Sequence, residues 1–264
     1  MDGPILTQDR NPYAYDVRLA GYGPMRRADA RILRRVAKAV GGAASVLNIG
    51  AGTGGYEPPD RRVVTIEASE AVIKRRAKTS APVVKGEVER LPFKDRSFAA
   101  SMSILTIQHW GDPVAGLREM ARVSSRRAVV FTLDPEVFGG FWLYRYFSDA
   151  AFLESMRYPK ISAITAALGG DVRVETVPIP FDCRDGFIGA YWRRPSLYLE
   201  QRVRRTIATL QEIGDDNLLD GLRRLSEDLA SGAWESANGW LLQRDEIDLG
   251  YRLIVAEYSP NTDQ

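Results

Sequence analysis

The sequence predicts an α/β fold, a doubly wound and mostly parallel sheet of about seven strands with a helical, aromatic-rich cap inserted late in the chain. Three observations carry that expectation. Short apolar runs alternate with helix-like stretches up to residue 133. The first run, Val46-Leu47-Asn48-Ile49, ends in a glycine cluster, and the second, Val63-Val64-Thr65-Ile66, ends in the acid Glu67. After Asp134-Pro135 the alternation stops and aromatic residues crowd the chain.

Taken in order, a helix is expected from about Asp29, where Ile32, Leu33, Val36, Ala37 and Val40 recur at helical spacing before Gly41-Gly42. Strand one is followed by Gly50-Ala51-Gly52-Thr53-Gly54-Gly55, whose glycines let backbone approach a ligand closely. Glu67, at the tip of strand two, is placed to accept hydrogen bonds from ribose hydroxyls. Residues 69–78 read as a short helix with Ser69 as N-cap. Pro82–Lys85 and Ser97–Ser103 are the next strands, and Asp112-Pro113 opens a helix with proline at its first position. Ala128–Leu133 is strand five. Further on, Val172–Ile179 and Leu249–Tyr258 read as strands, with a long, mostly helical segment between them.

The glycine loop alone is ambiguous. Gly50-x-Gly52-x-x-Gly55 satisfies the dinucleotide fingerprint, which requires a helix N-terminus to hold a pyrophosphate. Pro58 and Pro59 follow too soon for a long helix to begin there. That favours a nucleoside ligand without a pyrophosphate, and S-adenosylmethionine (SAM) has adenine, ribose and an amino-acid tail but no phosphate.

Composition narrows the classes. The chain has 264 residues, of which 45% are hydrophobic and 27% charged, enough to bury a full core. A net charge of +2, with basic pairs interleaved with acids, gives no nucleic-acid footprint. The single Cys183 excludes an internal disulfide and a cysteine zinc cluster; it reads as a packing residue. The single His109 excludes a multi-histidine site, so no metal is expected. Neither a signal peptide nor an apolar run near ~18 residues is visible, so the expectation is a cytoplasmic protein without membrane association, its oligomeric state open.

Three segments in order resemble the class I, Rossmann-like SAM-dependent methyltransferases of the small-molecule type, the ubiquinone/menaquinone methyltransferase group among them. Val46–Gly54 (VLNIGAGTG) is similar to their first SAM motif, Gly86–Phe93 (GEVERLPF) to the adenine segment, and Ser103–Val123 to the end of the fourth strand and its helix. The resemblance covers residues 44–133, with a weaker match at Tyr15-Asp16. It implies that Gly50, Ala51, Gly52 and Gly54, with Asn48, line the methionine part of SAM. Glu67 would take both ribose hydroxyls, Ala68 beside it would also touch the cofactor, and Glu87 and the Val88 amide would meet the adenine. Ser103 and Ile104 would face the tail or sulfonium, over which Tyr15 could close. There are departures: Asn48 stands where the family often has Asp, Ala99 where it has an acid, and Gln108-His109 where it often has two histidines.

On the resemblance, residues 44–134, 170–182 and 247–259 form the cofactor-binding core. Residues 1–43 are a helical segment closing over the cofactor, and 135–169 and 183–246 the cap. His109, just past a strand tip, is either a general base or a residue packing the turn before Asp112. Trp142, Phe181, Phe187 and Trp192 are either a substrate-facing wall or core. The implied function is transfer of the SAM methyl group, leaving S-adenosylhomocysteine (SAH), to an oxygen, nitrogen or carbon of a small molecule. The alternative is a SAM-binding protein of this fold that does not methylate.

Overall fold

The computed structural model describes residues 27–259 except 53, 78 and 79. Helix α1 (Ala30–Val40) starts at Asp29, whose carboxylate accepts from the Arg31 amide at 2.9 Å, and stops at Gly41 in the left-handed region at φ +65°. An aspartate there satisfies an amide that the first helical turn leaves without a partner. Strands β1 (Ser45–Ile49) and β2 (Arg62–Glu67) follow with no helix between them among the described residues, and Pro58 and Pro59 stand in that connection. Next come α2 (Glu70–Arg75), β3 (Val83–Lys85), β4 (Phe98–Ile104), α3 (Pro113–Val123) and β5 (Ser124–Leu133). The expected caps are present: Ser69 Oγ accepts from Val72 N at 3.1 Å, and Asp112 Oδ1 from Val114 N and Ala115 N at 3.0 Å each.

Beyond Leu133 the chain forms helices α4 (Pro135–Phe138), α5 (Ser148–Arg157) and α6 (Ile161–Leu168), then strands β6 (Asp171–Thr176) and β7 (Ile179–Pro180). Helices α7 (Gln201–Arg204), α8 (Asp215–Ser231) and α9 (Ala233–Asn238) precede β8 (Glu246–Ile247) and β9 (Tyr251–Glu257). The main sheet has seven strands in the order β3-β2-β1-β4-β5-β9-β6. β1 to β5 are parallel; β9 enters between β5 and β6 and runs antiparallel to both. The order reverses at β1, which places a crevice outside the carboxyl ends of β1 and β4, where ligands of such sheets bind.

The sheet separates two bodies of apolar side chains. Leu47, Ile49, Ala128 and Val130 point to one face and pack with Leu117 and Met120 of α3 and Ile164 of α6. Val46, Met102, Val129 and Phe131 point to the other and pack with Ile32 and Val36 of α1. Alternation along each strand produces both sets, as a sheet covered on both sides requires. The aromatic-rich segment continues the second body: Phe138, Phe141, Trp142 and Phe147 are buried in it. Trp142 lies edge-on to Tyr198 and Trp234, with centroids 5.6 and 5.3 Å apart.

One expectation is corrected. The strand expected over Val172–Ile179 splits, because Pro178 has no amide to continue the ladder; β7 pairs instead with β8 in a separate two-stranded sheet. The segment between β7 and β8 is mostly helical as expected, in short helices and helical turns around one long helix, α8. No helix among the described residues is long and apolar enough to cross a membrane.

Candidate active site

The glycine loop leaves β1 at Gly50, whose amide donates to the Ile66 carbonyl at 2.9 Å. Gly50, Gly52 and Gly54 have φ of +63°, +54° and +92°. At Gly50 a side chain is excluded twice over, by that dihedral and because a Cβ would lie 2.3 Å from Thr106 Oγ1. Glu67 is only 2% exposed. Its Oε2 accepts from Gly52 N at 3.2 Å and its Oε1 from Ser69 N at 3.0 Å. Burial raises the Glu67 pKa, while the Ser69, Gly52 and Ala68 amides and the charge of Arg76 act in the opposite sense.

With no helix after β1, side chains hold the loop. Arg76 Nη1 donates to the Gly52 carbonyl at 2.8 Å, and its Nη2 pairs with Glu57; the two side chains are 4% and 11% exposed. Glu57 also accepts from Thr65 Oγ1 at 3.0 Å and from Ala81 N at 3.1 Å. The Tyr56 hydroxyl donates to Asp185 Oδ2 at 2.6 Å, joining the loop to the segment that leads to Phe187.

At the neighbouring strand tip, Ser103 is fully buried and its Oγ has no hydrogen-bond partner. Ile104 is half-buried, and Leu105 sits in the left-handed region at φ +51°. A leucine held there is strained, at a cost of about 1–3 kcal/mol, as happens where a chain is shaped for a site. His109 closes the turn Ile107–His109. Gln108 Nε2 donates to the Leu105 carbonyl at 2.9 Å and lies 3.3 Å from His109 Nε2. A neutral ring with its proton on Nδ1 satisfies that contact. Asn48 is buried in β1, Val88 is buried, and the Glu87 and Ala68 side chains are exposed beside the crevice.

From the tip of β4 a small cleft, partly open to solvent, runs beneath α5. Leu105, Gln108 and His109 form one part of its lining, Glu154, Arg157 and Tyr158 another, and residues around Phe187, Thr209 and Tyr251 a third. Of the four aromatics expected to face a substrate, only Phe187 lines this cleft. Trp192 is fully buried, its indole N–H donating to the Ile179 carbonyl at 3.0 Å. Trp142 is buried and donates to the Trp192 carbonyl at 2.8 Å. Phe181, 38% exposed, lies under the Arg193 guanidinium at 4.5 Å. Both tryptophans have their one polar group used within the core, as packing residues do. Cys183 is buried and burial pushes its thiol up to about 12, which leaves it an inert neutral group. Tyr15 lies outside the described residues. Among the described residues no cluster of His, Cys, Asp or Glu could hold a metal ion.

Glu154 was not anticipated, though it left a signal. Ala150, Glu154 and Tyr158 share one helical stripe, and an acid in a buried stripe is out of place unless something uses it. Arg76 and Glu57 left none, because nothing in their spacing says that they meet.

The fold is that of the class I SAM-dependent methyltransferases, a class whose cofactor is SAM. Residues 47–132 match the family described as "Methyltransferase domain". The 2-methyl-6-phytyl-1,4-hydroquinone methyltransferase 1, chloroplastic, of Oryza sativa subsp. japonica is 30% identical over 95 residues, 36% of this chain and 28% of that enzyme. Its Arabidopsis thaliana counterpart is 37% identical over 71 residues, 27% of this chain and 21% of that enzyme. The matches thus span about a quarter of these plant relatives' length. A crystal structure from Anabaena variabilis ATCC 29413, provisionally described as a methyltransferase from an antibiotic biosynthesis pathway, superposes with a TM-score of 0.81 at 29% identity. It covers 88% of this chain and 98% of that one.

Proposed function

We propose that the protein is a SAM-dependent methyltransferase acting on a small-molecule acceptor of the phenol or hydroquinone kind. The observation that carries this reading is the adjacency of two features. The glycine loop and Glu67 form a nucleoside-type crevice, and a second cleft begins one strand away at Leu105. The residues present fit SAM. The loop is open where a Cβ at Gly52 would meet nothing within 4 Å, and Ser103 Oγ is a buried polar atom in need of a partner. The Glu67 carboxylate, which accepts from the Gly52, Ser69 and Ala68 amides, has acceptor capacity left for a ribose hydroxyl.

In this assignment the backbone of Gly50, Ala51, Gly52 and Gly54, beside Asn48, holds the amino-acid part of the cofactor. Glu67 and Ala68 hold the ribose, Glu87 and Val88 the adenine, and Ser103 and Ile104 the tail. Tyr15 completes that set in residues 1–43. The core of 44–134, 170–182 and 247–259 carries the cofactor, and 135–169 with 183–246 shape the acceptor side. Bound SAM supplies an electrophilic methyl group on a sulfonium. The protein then aligns the acceptor in line with that methyl and excludes water, which supplies several kcal/mol of the barrier. The hydroquinone kind of acceptor is supported by the plant relatives' names and by Phe187, Tyr158 and Tyr251 in the cleft lining.

Purified protein incubated with methyl-labelled SAM and a panel of phenols and hydroquinones tests the reading. Label appearing in the organic product, together with SAH, is the expected result. SAM binding without transfer to any member of the panel would favour the non-methylating alternative.

A further inference from the structure

Resting on the methyltransferase reading above, we propose that Glu154 takes the proton of the acceptor's hydroxyl, so that the cleft selects acceptors bearing a free phenolic hydroxyl. Glu154 lies on α5 and is 6% exposed, yet it lines the cleft that begins at the β4 tip. Its Oε1 accepts a hydrogen bond from Thr209 Oγ1, a neutral donor. The cation on the same helix, Arg157, is bonded to Glu212. A structural tie between α5 and the turn at Thr209 needs only an amide or a hydroxyl at position 154. What a carboxylate adds is the capacity to hold a proton.

The surroundings set that capacity. Arg157 on the same helix favours the charged form, while Glu212, next to the turn that carries Thr209, disfavours it. The phenols of Tyr144 and Tyr251 are themselves pushed upward by burial and stay neutral beside it. Arg157 itself lines the cleft, and Gln108, His109, Tyr158 and Thr206 are further polar side chains of its lining. Burial is the largest influence and leaves Glu154 at about 7, where an acid–base group is most effective in neutral solution. His109, by contrast, has its Nε2 against the Gln108 amide.

The proton balance closes for either site of attack. The hydroxyl proton passes to Glu154 as the oxygen, or the ring carbon it activates, bonds to the methyl carbon. The carbon–sulfur electron pair stays on sulfur, giving SAH. After attack at oxygen, Glu154 releases the proton to solvent. After attack at carbon, the oxygen takes its proton back from Glu154 as the ring carbon loses one. Each turnover releases one proton.

Calorimetry with methylhydroquinone and its dimethyl ether, each titrated into the protein–SAH complex between pH 5.5 and 8.5, tests the assignment. At pH 8 the hydroquinone is expected to bind about ten-fold or more tighter than the ether, the size of a hydrogen bond to a charged acceptor. That preference should fade on acidification through about 7. Glu154→Gln, isosteric and neutral, should lose the preference and its pH dependence, with SAH affinity and far-ultraviolet circular dichroism unchanged. Thr209→Val removes the hydrogen bond that lowers the Glu154 pKa, so it should move the midpoint to higher pH. Equal binding of hydroquinone and ether to the wild type, or an unchanged preference in Glu154→Gln, overturns the assignment. Tight SAH binding with no hydroquinone binding also overturns it and leaves the methyltransferase reading standing. The expected preference without SAH binding does the reverse.

Discussion

The proposed cofactor edge and the proposed acceptor cleft are neighbours built in opposite ways. The edge is made of backbone from one stretch, residues 48–69, and its shape depends on glycines at positive φ with amides turned toward Glu67. The cleft is made of side chains from five separate segments, around Leu105, Glu154, Phe187, Thr209 and Tyr251. A backbone site constrains residue types locally, whereas a side-chain site constrains only which distant residues meet. On the proposals above, the difference also divides the chemistry: the edge holds fixed dipoles, and the cleft holds a group that exchanges a proton.

The strongest way to break this contrast is to remove a side chain on which the edge does rely. Arg76→Met leaves Glu57 buried without its cation, and breaking such a pair costs about 3–5 kcal/mol. Urea unfolding should show a loss of that size, with SAH affinity lowered because the Gly52 carbonyl loses its donor. A stability change under about 1 kcal/mol would mean that the loop holds itself.

Glu154→Gln probes the cleft in the same currency with the opposite sign. In the folded protein Glu154 lies at about 7, above its ordinary value of 4.5, so the folded state binds the proton more tightly than the unfolded chain. Stability is therefore greatest below 4.5, falls as pH rises toward 7, and carries the full cost of the buried charge above it. That cost is about 3 kcal/mol. The variant should be more stable than wild type by about that amount at pH 8 and nearly equal to it at pH 4. Denaturation midpoints that differ equally at both values would rule out a titrating Glu154.

Glu67→Ala sharpens the division. It removes the proposed ribose acceptor and the partner of the Gly52, Ser69 and Ala68 amides, so SAH affinity by calorimetry should fall about ten-fold or more. Binding of methylhydroquinone alone should be unaffected. Unchanged SAH affinity would take Glu67 out of the site.

The smallest effect is expected at His109. With Nε2 against Gln108, His109→Gln should keep SAH affinity and turnover within about ten-fold of wild type, well short of the 10²–10⁴ of a lost general base. A near-inactive variant with normal SAH binding would move the proton-accepting role from Glu154 to His109.

The fold was legible because its signals are local. Asp29, Ser69 and Asp112 announce helix starts by their chemistry, and Val46–Ile49 with Val63–Ile66 announce buried strands by continuous apolarity. Pro58-Pro59 correctly marked a connection without a helix, although the Arg76–Glu57 pair that replaces it could not be foreseen. Pro178 carried the information that β6 must stop, which the apolar run around it masked. On the acceptor side, composition could not separate a ring that lines a cleft from one that fills a core. Phe187 and Trp192 are both buried aromatics five residues apart, and only the path of the chain decides which meets the cleft.

The place of β9 has a consequence for synthesis. Leu133 and Tyr251 are paired in the sheet yet separated by 118 positions along the chain, 251 less 133. At roughly 5–20 residues per second, the β5 edge waits roughly 6–24 s for its neighbour to be made. Throughout that interval Val129, Val130 and Phe131 sit on an open strand edge, the kind of surface that recruits other chains. The nascent protein is most exposed to aggregation while its cofactor edge, residues 48–69, is already synthesised.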